Sequence, residues 1–171
     1  MILELADKRA EILRTPLQKF DFQNPPCDPR ILYTDLAETM NKHNGLGLSA
    51  NQVGIPYRVF VMRASPVIGC FNPVVVDQSI ETWVDEEGCL SFPGIVVKVR
   101  RPVKIKVRFA DALGETSTHV FAGLTARIFL HELDHINGRL FTESATNLEL
   151  ALAIKRAKKK SNATYVIGDL R

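Results

Sequence analysis

Apolar positions along the chain follow two periods, and each change of period marks an element. Asp28 followed by Pro29 is an N-cap and first-position pair, and Ile31, Leu32, Leu36 and Met40 then recur at helical spacing until Gly45, which predicts a helix over 29–43. Gly45 to Gln52 breaks the period and reads as a two-glycine loop. Tyr57–Met62 and Val74–Val76 are Val- and Phe-rich and read as strands, with Pro66 and Gly69 in the turn between them. After the acidic stretch Asp85–Ser91, the triplet Phe92-Pro93-Gly94 reads as a turn. Val96–Val99 and Val103–Phe109 alternate apolar with basic residues, as in a sheet wet on one face, so that Lys98, Arg100, Lys104, Lys106 and Arg108 belong to the solvated side. A polar turn over Ala110–Glu115 leads to a short strand over Thr116–Phe121. Gly123 opens a helix over 124–137, and Gly138 stands at its C-terminal cap. Thr146 and Glu149 form a capping box that starts a last helix over about 146–160.

With 171 residues, 46% of them hydrophobic and 24% charged, the chain suits one globular domain over 1–171. No apolar run reaches the length of a membrane span. Glu4, Asp7, Lys8, Arg9 and Glu11 interrupt the N-terminal stretch, which speaks against a secretory signal or a transit peptide and makes the cytoplasm the expected location. A net charge of +3 does not argue for a nucleic-acid partner. The one dense basic run, Lys155, Arg156, Lys158, Lys159 and Lys160, lies where cations meet a helix C-terminal dipole, worth about 0.3–1 kcal/mol each. A solvated helix end accounts for it, and contact with ribosomal RNA is the alternative reading. Three cysteines, Cys27, Cys70 and Cys89, are an odd count in a chain without a secretory signal, so no disulfide framework is expected. Cys27 and Cys70 have no ligand pattern around them and read as buried, inert thiols.

The chemistry concentrates in His131-Glu132-Leu133-Asp134-His135. On a helix, His131 and His135 stand one turn apart on one face with Glu132 at the rim, which is a metal site beside a proton carrier. Two imidazoles leave a dication short of ligands, and the third must come from elsewhere. Phe141 occupies the position where related zinc proteases place a further histidine, and Glu143 and Glu149 sit in no second motif. His43 and His119 fall on a helix end and a strand and read as exposed or packed. Cys89, in the tight Gly88-Cys89-Leu90-Ser91 segment, is the better candidate, and a thiolate with two imidazoles suits Zn(II) or Fe(II) with a position left for water. Coordination would bring that water's pKa towards neutrality, and Glu132 would take its proton and pass it to a leaving amine.

In order, Gly45-Leu46-Gly47-Leu48-Ser49-Ala50-Asn51-Gln52, Glu87-Gly88-Cys89-Leu90-Ser91 and His131-Glu132-Leu133-Asp134-His135 resemble the three signature motifs of the peptide deformylases. The resemblance implies an α+β fold, with antiparallel and mixed β-sheets packed around a central helix carrying the metal motif and with helices N- and C-terminal to it. It implies a monomeric enzyme that removes formyl from the N-terminal formyl-methionine of new proteins. It also implies a divalent metal, commonly Fe(II), with Zn(II), Ni(II) or Co(II) able to replace it. By the same resemblance Gln52 and the Leu90 backbone N–H donate to the developing oxyanion, the backbone of Leu46, Gly47 and Gly88 pairs with the peptide, and Leu124 and Ile128 line the methionine pocket. Asp134 turns from the metal and wants a cation, for which Arg101 is the partner that the family pattern suggests.

Three residues depart from the pattern: Leu130 where glutamine usually precedes the first histidine, Ser49 where alanine is commoner, and Ile136 where leucine is usual. Leu130 removes a polar neighbour of the site and leaves the ligands unchanged. Two rival readings remain: a metallopeptidase cutting internal bonds, which requires a downstream third ligand, and a catalytically silent formyl-peptide binder, against which the complete set of site residues argues.

Overall fold

The computed structural model describes residues 1–160 and 164–171. Helix α1, Pro29–Lys42, starts where Asp28 Oδ1 accepts the backbone N–H of Arg30 at 2.8 Å and of Ile31 at 3.4 Å. It buries Leu32, Leu36 and Met40 against Leu48, Val59, Val61 and Phe71, whereas Ile31, expected in that stripe, is 60% exposed. The next residues fold as a short strand, β1 (Gly47–Ser49), and a 3-10 turn over Ala50–Val53, where a plain loop was expected. Three residues are too few to show a period in the sequence, and only pairing with the following strand defines them.

Strands β2 (Val59–Met62), β3 (Ile68–Gln78), β4 (Thr82–Cys89), β5 (Phe92–Pro102), β6 (Lys104–Ala110) and β7 (Thr116–Ala122) make two sheets. One has the order β1-β2-β3-β6-β7, and the other is the β4–β5 hairpin. Every strand pairing is antiparallel, and the parallel contact Gln18–Tyr57 is an isolated bridge, so the expected mixed sheet is antiparallel instead. Ile105, Val107 and Phe109 of β6 face inward, while Lys104, Lys106 and Arg108 face solvent, as do Lys98 and Arg100 of β5.

β4 was not legible as a strand because its inward series is Trp83, Glu87 and Cys89, not a row of aliphatics. The expected Phe92-Pro93-Gly94 turn is also displaced: Phe92 is fully buried and begins β5, so the chain turns at Leu90-Ser91. A bulge between Gly88 and Cys89 sets Cys89 opposite Phe92.

Helix α2 (Gly123–Ile136) leaves β7 directly, its first N–H bonded to the Val103 carbonyl at 2.8 Å. Ala126, Phe129, Leu130 and Ile136 join the sheet's core with Phe60, Met62 and Phe109, so Leu130 is a packing residue there. Arg127, His131 and His135, spaced four apart, turn the other way. Helix α3 (Asn147–Lys160) begins at the expected capping box, Thr146 N–H donating to Glu149 Oε2 at 2.7 Å, and lays Leu150, Ala153 and Ala157 over Ile95, Val97 and Val99 of β5. Cys70 is buried as expected, but Cys27 is exposed, since its Pro-rich turn runs over the surface.

Gly138 ends α2 with φ +71°, and a Cβ there would lie 2.7 Å from the Thr15 carbonyl carbon and 2.8 Å from that of Arg14. Gly138→Ala is expected to lower stability by more than about 1 kcal/mol in urea unfolding. Gly168→Ala, with nothing within 4 Å of the added atom, is the control and should stay within about 0.5 kcal/mol.

Candidate metal centre and catalytic cleft

Three donors converge where the end of β4 meets α2. The ligand atoms of Cys89, His131 and His135 all lie within 4.8 Å of one another, with Cys89 Sγ 3.1 Å from His135 Nε2. No other group of three His, Cys, Asp or Glu side chains gathers in this way among the described residues. Burial alone would raise the Cys89 thiol, but His135 and His131 beside it hold it well below the ordinary thiol range. His131 loses by burial but gains more from Cys89 and Glu87, which raise it to about 10. The pocket thus gathers negative charge that calls for a cation, and its one thiolate and two imidazoles match a divalent Zn or Fe ion. The other donors read from the sequence lie elsewhere. His43 caps α1 at the cleft mouth, and His119 is exposed on β7, stacked on Phe109 at 4.9 Å. Glu143 accepts the Leu140 N–H at 2.8 Å and Glu149 serves its capping box, so neither carboxylate is part of the donor cluster.

Behind the ligands sits a carboxylate that sequence reasoning missed. Glu87 Oε2 accepts from His131 Nδ1 at 2.9 Å, which leaves Nε2 as the candidate ligand atom. Arg101 grips both Glu87 oxygens, at 2.8 and 2.9 Å, and Arg127 Nη1 adds a bond to Oε1 at 2.8 Å. Burial opposes the Glu87 charge, but Arg101 and His131 outweigh it and hold the carboxyl at about 2. Arg101 also reaches Asp134 Oδ2 at 2.6 Å, the pairing that the family pattern suggested. Arg127 further donates to the Val99 and Trp83 carbonyls and lies 4.5 Å over the Trp83 ring. Two signals pointed to this cluster: Glu87 precedes Cys89 by one strand period, and Arg127 precedes His131 by one helical turn.

Glu132 is 4% exposed and lies against β1. Burial pushes its carboxyl above the ordinary value, against the pull of His131, His135 and the Ser49 hydroxyl. Gly47 is required at that contact, since a Cβ would stand 2.5 Å from Glu132 Oε1. Gln52 is fixed from the same strand: its Oε1 accepts the Ser49 N–H at 2.9 Å, and its Nε2 donates to Cys89 Sγ at 3.3 Å and Ser91 Oγ at 3.0 Å. Asn51 Nδ2 ties the adjoining turn to the His135 carbonyl at 2.7 Å.

Cys89, His131, Glu132, Gln52 and Glu87 form the floor of a cleft of about 680 Å³. Leu46, Gly47, Gly88, Leu90, Leu124 and Ile128 line it. Leu46 and Leu124 are 46% and 53% exposed, so they are wall rather than core, while Ile128 is half-buried against the sheet's core.

Residues 2–151 match the family model described as polypeptide deformylase. A peptide deformylase of Thermotoga petrophila is 39% identical over 142 residues, covering 82% of this chain and 84% of its own. One from Novosphingobium aromaticivorans is 33% identical and covers 95% of this chain and 97% of its own. Among solved structures, a peptide deformylase from Synechococcus elongatus in complex with actinonin gives a TM-score of 0.88 at 30% identity, over 99% of this chain and 90% of that one.

Glu87→Ala leaves two buried guanidinium groups short of their anion and is expected to destabilise the fold by about 3–5 kcal/mol in urea unfolding. The Glu87 pKa is depressed in the fold, from 4.5 to about 2, so its contribution is present above pH 4.5 and lost as pH falls towards 2. Wild type should therefore lose its advantage over the variant across that window. With His131 no longer oriented, metal affinity measured against a competing chelator should fall about 10–100-fold.

Proposed function

The chain belongs to the polypeptide deformylase family, enzymes that hydrolyse the formyl group from N-terminal formyl-methionine, and we propose the roles that its residues take in that reaction. The observation that carries the proposal is the convergence of Cys89, His131 and His135 beside a buried Glu132, with Cys89, His131 and Glu132 lining an apolar-walled cleft. Those three side chains would hold one divalent metal, for which we propose Fe(II), with Zn(II), Ni(II) or Co(II) able to take its place. When bound, the metal supplies Lewis-acid polarisation of the formyl oxygen and acidifies water.

Glu132 acts as general base and then general acid: it removes a proton from the attacking water and delivers it to the amine as the C–N bond breaks, so that formate and a free α-amine result. Its raised proton affinity in the buried site supports both halves of that cycle. Gln52 Nε2, aimed at the Cys89 sulfur, and the Leu90 backbone N–H donate to the oxygen that becomes negative. The formylated peptide lies in the cleft as an added strand against the backbone of Leu46, Gly47 and Gly88, which the edge position of β1 in its sheet supports. Leu124 and Ile128 receive the methionine side chain. Asp134 and Arg101 take no part in proton transfer and hold the metal helix to the hairpin.

We assign the whole chain, 1–171, to one catalytic domain working as a monomer in the cytoplasm. Among the described residues no helix is long and apolar enough to cross a membrane. Lys155, Arg156, Lys158 and Lys159 are exposed on α3 and would face the ribosome as nascent chains emerge.

Purification without oxygen, metal analysis and a formate-release assay on formyl-Met-Ala-Ser test this reading. Glu132→Gln should keep its metal and lose about 10²–10⁴ in rate. Undiminished formate release by this variant would remove Glu132 from its role. Gln52→Ala should lose about 10²–10³ in kcat. Cys89→Ser should lose or weaken its hold on the metal, whereas an enzyme with a downstream third ligand would keep it.

A further inference from the structure

Ser49 is fully buried, and its hydroxyl donates to Glu132 Oε2 at 2.6 Å while lying 3.3 Å from the Glu132 backbone oxygen. Side chains alternate along β1, so Gly47 and Ser49 share the face against α2 and Leu48 fills the core behind. Glu132 runs across that face. Oε2 is bonded to Ser49, and Oε1 occupies the space that a Cβ on Gly47 would take. The carboxylate is thereby set in one orientation by a donor on one oxygen and a missing side chain beside the other.

The geometry points to Ser49 as a positioning residue for the general base: its hydroxyl holds Oε2 as an acceptor, so that Oε1 is the oxygen that takes and returns the proton. This rests on the assignment of Glu132 as the base. The hydroxyl oxygen of a carboxylic acid is a poorer acceptor than a carboxylate oxygen, so a hydrogen bond accepted at Oε2 lowers the basicity of that oxygen and favours protonation of the other. The Ser49 backbone N–H separately holds Gln52 Oε1 at 2.9 Å, so replacing the side chain leaves the Gln52 amide in place. The effect of the hydroxyl can therefore be measured apart from that of Gln52.

Ser49→Ala and Ser49→Cys separate the hydrogen bond from packing, because cysteine keeps the volume and supplies only a weak donor. Steady-state formate release from formyl-Met-Ala-Ser by the metal-loaded enzymes should show kcat reduced about tenfold in both, with KM, metal content and circular dichroism unchanged. Ser49→Thr, which keeps the hydroxyl, should return kcat to within about twofold of wild type; if it does not fold, the alanine and cysteine variants still decide. A kcat within twofold of wild type in both those variants overturns the proposal, as does a loss that appears equally in KM or in metal content. Glu132→Gln assayed alongside distinguishes the two levels. If it stays active, the base assignment fails. If it is inactive while Ser49→Ala and Ser49→Cys match wild type, the base assignment stands and only the role of Ser49 falls.

Discussion

The structure depends on one buried carboxylate. Glu87 joins the β4–β5 hairpin to α2, since its oxygens take bonds from Arg101 on β5 and from Arg127 and His131 on α2. Neither sheet alone would fix the distance between Cys89 and the two histidines, because the hairpin is not hydrogen-bonded into the five-stranded sheet. The charges around it are matched. Glu87 and Asp134 balance Arg101 and Arg127, and what remains is the Cys89 thiolate and the Glu132 carboxylate facing two imidazoles. A dication is the charge that closes this set, and the same negative charge, on Cys89 and Glu87, is what raises the His131 imidazole.

The converging donors were legible because metal coordination limits residue types and a helix limits spacing; His131 and His135 satisfy both without reference to the rest of the chain. Cys89 followed by elimination among few candidates. Glu87 and Arg127 stayed hidden for the opposite reason. Their partners are distant in sequence, and a charged residue on the inward side of a strand looks like solvent-facing polarity until its cations are seen. The same inversion concealed β4 as a whole. β1 was missed for want of length, and the turn at Leu90-Ser91 was misplaced because Pro93-Gly94 outweighed the burial that Phe92 requires.

The departure at Leu130 is a matter of packing. Leu130 stands next to the first ligand in sequence, but a helix turns about 100° per residue, and the side chain enters the apolar cluster with Phe60 and Phe129. Ser49, the departure on β1, touches the buried Glu132 carboxylate instead. Proximity in sequence to a motif is thus a poor guide on a helix, where neighbours diverge, and a better one on a strand, where alternate residues share a face.

The same geometry explains why a small cap, and not an internal peptide bond, is the fitting substrate. His131, Glu132 and Gln52 are 9%, 4% and 2% exposed, so the inner end of the cleft is buried, while the walls at Leu46 and Leu124 are exposed. A peptide bond within a chain would need room for a further residue beyond the carbonyl carbon. A formyl group carries only hydrogen there. In the binding mode proposed above its carbonyl would reach the floor while the peptide extends outwards along the free edge of β1, and burial there would strengthen the hydrogen bonds acting on it.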